Sequence, residues 1–388
     1  MPLLAVRPQW LHSTGSASAG IGGGGLVPAA VGGEEGSDGS RIMAGERAKP
    51  SVPTTTMAYS GASLGTIPAP MPGIGVGTWA WGNQFLWGYD PRGDAELAAT
   101  FSRAVELGLR FFDTADSYGT GRFSGRSELL LGQFCRTLSP QQRQSLCVAT
   151  KLAPFPWRLG RGGFRRAFSA SKQRLQGQLD RVQLHWSTAR YAPWQEGPLV
   201  DGLADLVLEG AVRSIGVSNM GPQRLRQLHR HLAGRGVALS SLQVQCSLLA
   251  PEAVQPGGVA EVCRELGISL IAYSPLALGL LARSQDQVDR PQQGPRRLLF
   301  GRLAPRITPL LQTMAEVAHQ RQVPLAAVAL NWCRSHGAMP IPGLRRVAHV
   351  DLAAAAAAWA LNDGEREALD QASGRLEVRM PANPFGSA

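Results

Sequence analysis

Four side chains that together could protonate a carbonyl oxygen stand near the ends of three successive apolar runs. The stretch FFDTADSYG, residues 111–119, carries an apolar pair into Asp113, Asp116 and Tyr118. LCVATKL (146–152) carries Lys151 next to its end, and RVQLHWS (181–187) places His185 before Trp186. A phenol has an ordinary pKa of about 10, too high for an efficient acid at neutral pH. A lysine ammonium beside it favours the phenolate and is expected to lower that value. A carboxylate paired with the lysine keeps the cation charged and in place, while an imidazole orients the substrate oxygen and shares the proton. The implied chemistry is acid catalysis on a carbonyl, with Tyr118 as general acid, Lys151 as its tuner, Asp113 as the lysine's partner and His185 as the orienting donor.

Each residue taken singly has a plainer reading. Asp116 reads more readily as a turn or helix cap, and a loop tyrosine or a histidine beside a tryptophan is often a half-buried packing residue. Lys151 resists that treatment. The chain has only three lysines (Lys49, Lys151 and Lys172) among 39 basic residues, and this one ends an apolar run where a solvated charge has no reason to lie.

Eight short apolar or β-branched runs recur from about residue 70, each followed by a turn and an amphipathic stretch. They are GIGVGTW (73–79), LRFFDTA (109–115), LCVATKL (146–152), RVQLHWS (181–187), VRSIGVSN (212–219), SLQVQCSLL (241–249), ISLIAYSPL (268–276) and AMPIPGL (338–344). Segments between them, such as DAELAATFSRAVELG and VAEVCRELG, repeat apolar positions at threes and fours and stop at glycine, the pattern of helices. Strands alternating with helices imply a parallel sheet covered on its faces. Eight rounds predict an α/β fold, a single-domain (β/α)₈ TIM barrel, whose functional residues come from the C-terminal ends of different strands. The alanine-rich run Leu352–Leu361 is read as helix and is too short to cross a membrane.

The formal net charge is +11. Residues 1–57 hold Arg7, Arg41, Arg47 and Lys49 against Glu34, Glu35, Asp38 and Glu46, so the excess belongs to the remainder. There the arginines are scattered and not interleaved with aromatics, which argues against nucleic acid and leaves enough cations for an anionic small molecule. The five cysteines form no CxxC pair and no metal-ligand spacing, which argues for a reducing compartment and against a metal site. Residues 1–57 are Ser/Gly/Ala-rich and acid-free before Glu34. They read as a disordered segment and organelle transit peptide, chloroplast first and mitochondrion or cytoplasm as alternatives. The barrel is assigned to residues 58–388.

The motifs GVGTW, FFDTADSYG followed by SELLLG, VATK, QLHW, IGVSN, LQVQCSLL, IAYSPLALGLL and PIPG resemble the aldo/keto reductase family in order and spacing across about residues 70–365. WAWGNQFLWGYD, LAPFPWRLGR and ALGLLA are most similar to its plant and algal plastid branch. The resemblance implies the same tetrad, Asp113, Tyr118, Lys151 and His185, and an NADPH cofactor. It further implies Ser218, Asn219 and Gln243 as partners of the nicotinamide carboxamide and Tyr273 as the ring stacked on the nicotinamide. Gly77, Thr78 and Trp79 of GVGTW and Gly343 of PIPG are carried over as cofactor contacts. The phosphates are expected at the loops after the last two strands, with Ser274, Leu276 and Gly279 around the pyrophosphate and Arg345 at a 2′-phosphate, favouring NADPH over NADH. GIGVG lies at the first barrel strand and is not a Rossmann fingerprint.

Two departures stand out. Leu352 and Ala353 occupy the place of a Glu-Asn pair that contacts adenine in many members, and Cys246 stands where many relatives have tyrosine. Residues 284–303 read as a surface excursion near the cofactor. The expected activity is NADPH-dependent reduction of an aldehyde or ketone, with small carbonyls, pyridoxal-like aldehydes and sugars all open. The alternative is an NADPH-binding regulatory subunit of the channel-associated type, which uses cofactor redox state as a signal.

Overall fold

The computed structural model describes residues 73–388 apart from 285, 286, 288–293, 295, 385 and 388. The transit reading of residues 1–57, and residues 58–72 of the assigned barrel, lie outside the described residues. All described residues belong to one compact unit.

Each predicted apolar run supplies one strand: β1 Val76–Gly77, β2 Phe111–Asp113, β3 Cys147–Leu152, β4 Arg181–Leu184, β5 Ser214–Ser218, β6 Leu239–Gln245, β7 Ser269–Tyr273 and β8 Ala338–Ile341. They pair in sequence order, all parallel. The sheet closes where β8 meets β1, with Gly75 N donating to Pro340 O (3.0 Å) and Gly77 N to Pro342 O (2.9 Å). The expected (β/α)₈ barrel is the fold, and closure leaves no free strand edge.

Helices α1 Asp94–Glu106, α2 Arg126–Arg136, α3 Gly160–Arg174, α4 Pro193–Leu208, α5 Pro222–Ala233 and α6 Val259–Leu266 follow the first six strands. Between β7 and β8 the chain makes α7 Arg296–Leu303, α8 Thr308–Arg321 and α9 Leu325–Ser335; α10 Val347–Ala357 and α11 Asp363–Gly374 follow β8. The local chemistry accounts for several of them. In α1 the buried residues Leu97, Phe101, Ala104 and Val105 recur at threes and fours, forming the stripe that packs inward. At Gly267, with φ of 67°, the left-handed turn that ends α6 carries no Cβ penalty. Asn362 and Glu365 open α11 with a reciprocal capping box, each side chain accepting from the other's backbone N–H at 2.8 Å. Phe101, Phe112, Phe134 and Trp81 interlock in the core, the first two with ring centroids 5.0 Å apart. Each such buried ring contributes about 1.5–3 kcal/mol relative to exposure.

The alanine run departs from expectation at its end, because α10 stops at Ala357 and Ala358–Leu361 lead non-helically into α11. Residues 284–303 are not wholly excursion either, since α7 buries Phe300 and Leu303. All five cysteines are free thiols. No described helix is long and apolar enough to cross a membrane.

Candidate active site

The tetrad is assembled by adjacent strands. Asp113 is the last residue of β2, Lys151 lies near the end of β3, and His185 directly follows β4. Tyr118 stands in the loop after β2, in a turn closed by Tyr118 N to Ala115 O (3.1 Å) and by Gly125 N to Tyr118 O (2.9 Å). The next residue must be glycine. Gly119 has φ of 107°, and a Cβ there would come within 1.9 Å of Phe123 O. Ser127, the first residue of SELLLG, ties this loop to the barrel by hydroxyl contacts to Thr78 (2.7 Å) and Thr114 (2.9 Å).

Lys151 is 1% exposed. Its Nζ donates to Asp113 Oδ2 and, at 2.8 Å, to Thr114 O. The other carboxylate oxygen of Asp113 accepts from Gln183 Nε2 (3.1 Å) and Gln243 Nε2 (2.7 Å). Burial draws the Lys151 pKa below its ordinary value while Asp113 opposes the shift, as expected for a buried ammonium held charged by its partner. The ammonium lies 4.8 Å from the centroid of the Tyr118 ring. The His185 ring meets Tyr118 nearly edge-on, with centroids 5.9 Å apart, and its Nδ1 is 3.3 Å from Ser117 Oγ.

One electrostatic expectation is corrected. The phenol of Tyr118 is not tuned downward: burial, and then the charges of Asp113 and Asp116, raise its pKa well above 10. Lys151 faces the ring's π cloud and directs two of its three donor hydrogens to Asp113 and Thr114. The same crowding drives the pKa of His185 well below 6.5, with the positive charges of Lys151 and Arg158 adding to desolvation. Both Tyr118 and His185 keep part of their surface toward solvent. The site therefore presents a neutral phenol and a neutral imidazole over a buried ion pair, a proton donor and a hydrogen-bonding group ready for an oxygen that gains negative charge.

Asp116 is more than a cap. It is 7% exposed, accepts from Ala153 N at 3.2 Å and pairs with Arg158, so it joins the loops after β2 and β3. Burial raises its pKa to about 6 against the opposing pull of Arg158.

The residues assigned to the nicotinamide lie at the ends of β5, β6 and β7. Asn219 Nδ2 donates to His185 O and Ser218 Oγ, both at 3.0 Å, and Tyr273 Oη donates to Asn219 Oδ1 at 2.9 Å. Ser218 Oγ donates to Gln243 O (2.9 Å). Gln243 is 1% exposed and donates its amide nitrogen inward to Asp113.

Six non-glycine residues have positive φ among the described residues, and four of them are Asn219, Ser274, Ala277 and Leu278. With Gly279 (φ 97°) after them, the last three make the loop following β7 a concentration of strained backbone. Such conformations cost about 1–3 kcal/mol each and gather at ligand sites. Leu276 is half-buried within this loop. At the loop after β8, Gly343 bridges Gly77 of β1, and a Cβ on Gly77 would approach Ile341 O to 2.7 Å. Thr78 is buried and donates to Asp113 O (2.9 Å), so its hydroxyl serves the barrel frame, whereas Trp79 is 37% exposed.

Arg345 reaches this region with a companion that sequence reasoning missed. Arg296, from α7, lies 4.4 Å from the centroid of Trp87 and donates to Leu278 O (3.0 Å); Arg345 lies 5.2 Å from the same ring and donates to Trp87 O (3.1 Å). Among the described residues neither forms an ion pair. Burial lowers the pKa of both, and Arg345 and Arg283 depress that of Arg296 further. Two crowded guanidiniums beside a strained loop favour an anion, and a phosphate-bearing dinucleotide fits them. Ala353 is fully buried in the core with Leu352 packed against it, so neither takes the place of the polar adenine contacts.

A hollow of about 620 Å³ lies at the opposite, N-terminal end of the barrel around Arg143, Asp180 and Arg213, away from the tetrad. Among the described residues no group of three His, Cys, Asp or Glu could hold a metal ion.

The sequence pattern of the aldo/keto reductase family matches residues 73–373. A chloroplastic pyridoxal reductase of Arabidopsis thaliana is 47% identical over 316 residues, covering 80% of this chain and 86% of that protein. A methylglyoxal reductase of Escherichia coli is 28% identical over 304 residues, 78% of this chain and 91% of its own. The crystal structure of an aldo-keto reductase from Klebsiella pneumoniae in complex with NADPH superposes with a TM-score of 0.60 at 26% identity, over 81% of this chain and 95% of that one. With the eight-stranded barrel and the polar cluster at its strand ends, these matches establish that the chain belongs to the aldo/keto reductase family.

Proposed function

We propose that this oxidoreductase reduces an aldehyde or ketone to the alcohol, with NADPH supplying the hydride and Tyr118 Oη the proton. The observation that carries the reading is the convergence of Lys151 and His185 on Tyr118, one over its ring at 4.8 Å and the other at its edge, with Asp113 beneath the lysine. Tyr118 enters the reaction protonated because its phenol is held well above neutrality. His185, neutral, donates one hydrogen bond from its ring N–H to the carbonyl oxygen and aligns it. Lys151 stabilises the developing phenolate across the ring, and Asp113 fixes the ammonium while Gln183 and Gln243 fix Asp113.

Ser218, Asn219 and Tyr273 are the residues that would hold the nicotinamide. Ser274, Leu276 and Gly279 would cradle the pyrophosphate, and Arg296 and Arg345 would take the 2′-phosphate. Charge-assisted bonds of this kind contribute about 1.5–3 kcal/mol each. Arg296→Ala is therefore expected to weaken NADPH about 10- to 100-fold while changing NADH much less, as measured by titration with each dinucleotide. Equal losses for both would remove Arg296 from the 2′-phosphate.

The substrate favoured is a flat aromatic aldehyde of the pyridoxal type. The name of the Arabidopsis relative supports it, and so does an aromatic wall beside His185. Trp186 lies 4.9 Å from His185 and 5.9 Å from Phe155, which stacks on Trp157 at 4.7 Å. A planar ring gains about 0.5–1.5 kcal/mol from such a partner beyond its buried area. The same relative supports a chloroplast location. The test is NADPH consumption with pyridoxal, methylglyoxal and an aliphatic aldehyde. Pyridoxal is expected to give the highest kcat/KM. Bound NADPH that no carbonyl consumes would instead support a regulatory subunit that senses cofactor redox state.

A further inference from the structure

The C-terminal strap, described at residues 380–384, 386 and 387, crosses the mouth of the barrel. Met380 N donates to Leu249 O (2.8 Å), Arg190 Nη1 to Pro384 O (3.3 Å) and Ser387 N to Asn219 O (3.1 Å). Between these ties Asn383 Nδ2 donates to Tyr273 Oη at 2.9 Å and to Asn219 Oδ1 at 3.1 Å. Asn383, Met380, Asn219, Val244 and Tyr273 share the lining of a cavity of about 510 Å³.

A side-chain amide offers two donor hydrogens and two acceptor lone pairs. Asn219 uses all four. Its Nδ2 serves His185 O and Ser218 Oγ, and its Oδ1 accepts from Tyr273 and Asn383. The amide is therefore saturated before any second amide arrives. Three of these partners belong to the barrel and its strand ends, whereas Asn383 is half-buried and flanked by exposed residues at 381, 382 and 384. It is the one of the four that comes from the strap and not from the barrel strands or their ends.

We propose that the strap is an intramolecular competitor of the nicotinamide cofactor: Asn383 occupies the Asn219 acceptor that a carboxamide N–H requires, and the cofactor binds by lifting it. The proposal rests on the reading that Asn219 and Tyr273 face the nicotinamide. Removing the competing donor raises cofactor affinity, which is opposite in sign to the loss of a supporting contact.

NADPH is titrated against the full chain and Asn383→Ala by quenching of tryptophan fluorescence, and amide exchange of the 386–387 segment is followed in the wild type with and without NADPH. The variant is expected to bind NADPH about two- to ten-fold more tightly, the worth of one net hydrogen bond. NADPH is expected to speed exchange at Ser387, whose N–H is tied to Asn219 O in this structure. Equal or weaker binding by the variant, or slower exchange at Ser387 with NADPH, overturns the competition and leaves the cofactor reading standing. Failure of the wild type and the variant alike to bind NADPH overturns both. The exchange measurement uses the wild type alone, so it decides the question even if the variant does not fold.

Discussion

Tyr118→Phe is expected to slow carbonyl reduction by about two to four orders of magnitude, with NADPH affinity changed little, because the variant loses the proton and keeps the ring. The ring still receives the Lys151 ammonium on its face and His185 at its edge, so packing survives. The pH profile sharpens the test. Burial and the neighbouring carboxylates hold the phenol above its ordinary value, so the donor stays protonated and the wild-type chemical step is expected to persist through about pH 9. A rate that fell as pH rose through neutrality would mean that Lys151 does lower the phenol. Stopped-flow single turnovers of the wild type and Tyr118→Phe across this range measure both effects.

Lys151→Met is expected to destabilise the fold by about 3–5 kcal/mol in addition to abolishing most activity, because a buried carboxylate loses its countercharge. Asp113 would then keep only the amide donors of Gln183 and Gln243. Adding Asp113→Asn removes the stranded charge and is expected to recover part of the stability without recovering activity. Denaturant midpoints of the two single variants and the double variant measure the coupling. If Lys151→Met unfolds at the wild-type midpoint, the ion pair is not the buried unit that the geometry describes.

Much of this site was legible in the sequence for a specific reason. Asp113, Lys151 and His185 end runs whose apolar character marks them as barrel strands, and barrel topology carries consecutive strand ends to one mouth. Ser218, Asn219 and Tyr273 follow from the same rule together with the family resemblance. Properties set by the sum of surroundings were not legible. The direction of the Tyr118 shift depends on how much protein displaces water around it, and on the lysine facing the ring and not the oxygen. The bond from Gln243 to Asp113 was not legible either, because strand alternation leaves that orientation to packing. Arg296 lies in a segment without clear periodicity, and only the folded chain brings it to Trp87 beside Arg345. Asn383 is 110 residues from Tyr273, and no local pattern announces their contact. The alanine run identified a helix correctly but not its end at Ala357, because propensity alone carries no stop signal there.

The central claim is carbonyl reduction by hydride transfer with a protein-borne proton. Its most direct test is a single turnover of pyridoxal with NADPH deuterated at the transferring nicotinamide position, reading nicotinamide absorbance and the label in the product alcohol together. The expected result is loss of absorbance matched by deuterium on the former carbonyl carbon, fast in the wild type and slowed in Tyr118→Phe. Oxidation of NADPH without label at that carbon, or an equal rate in the two proteins, would contradict it.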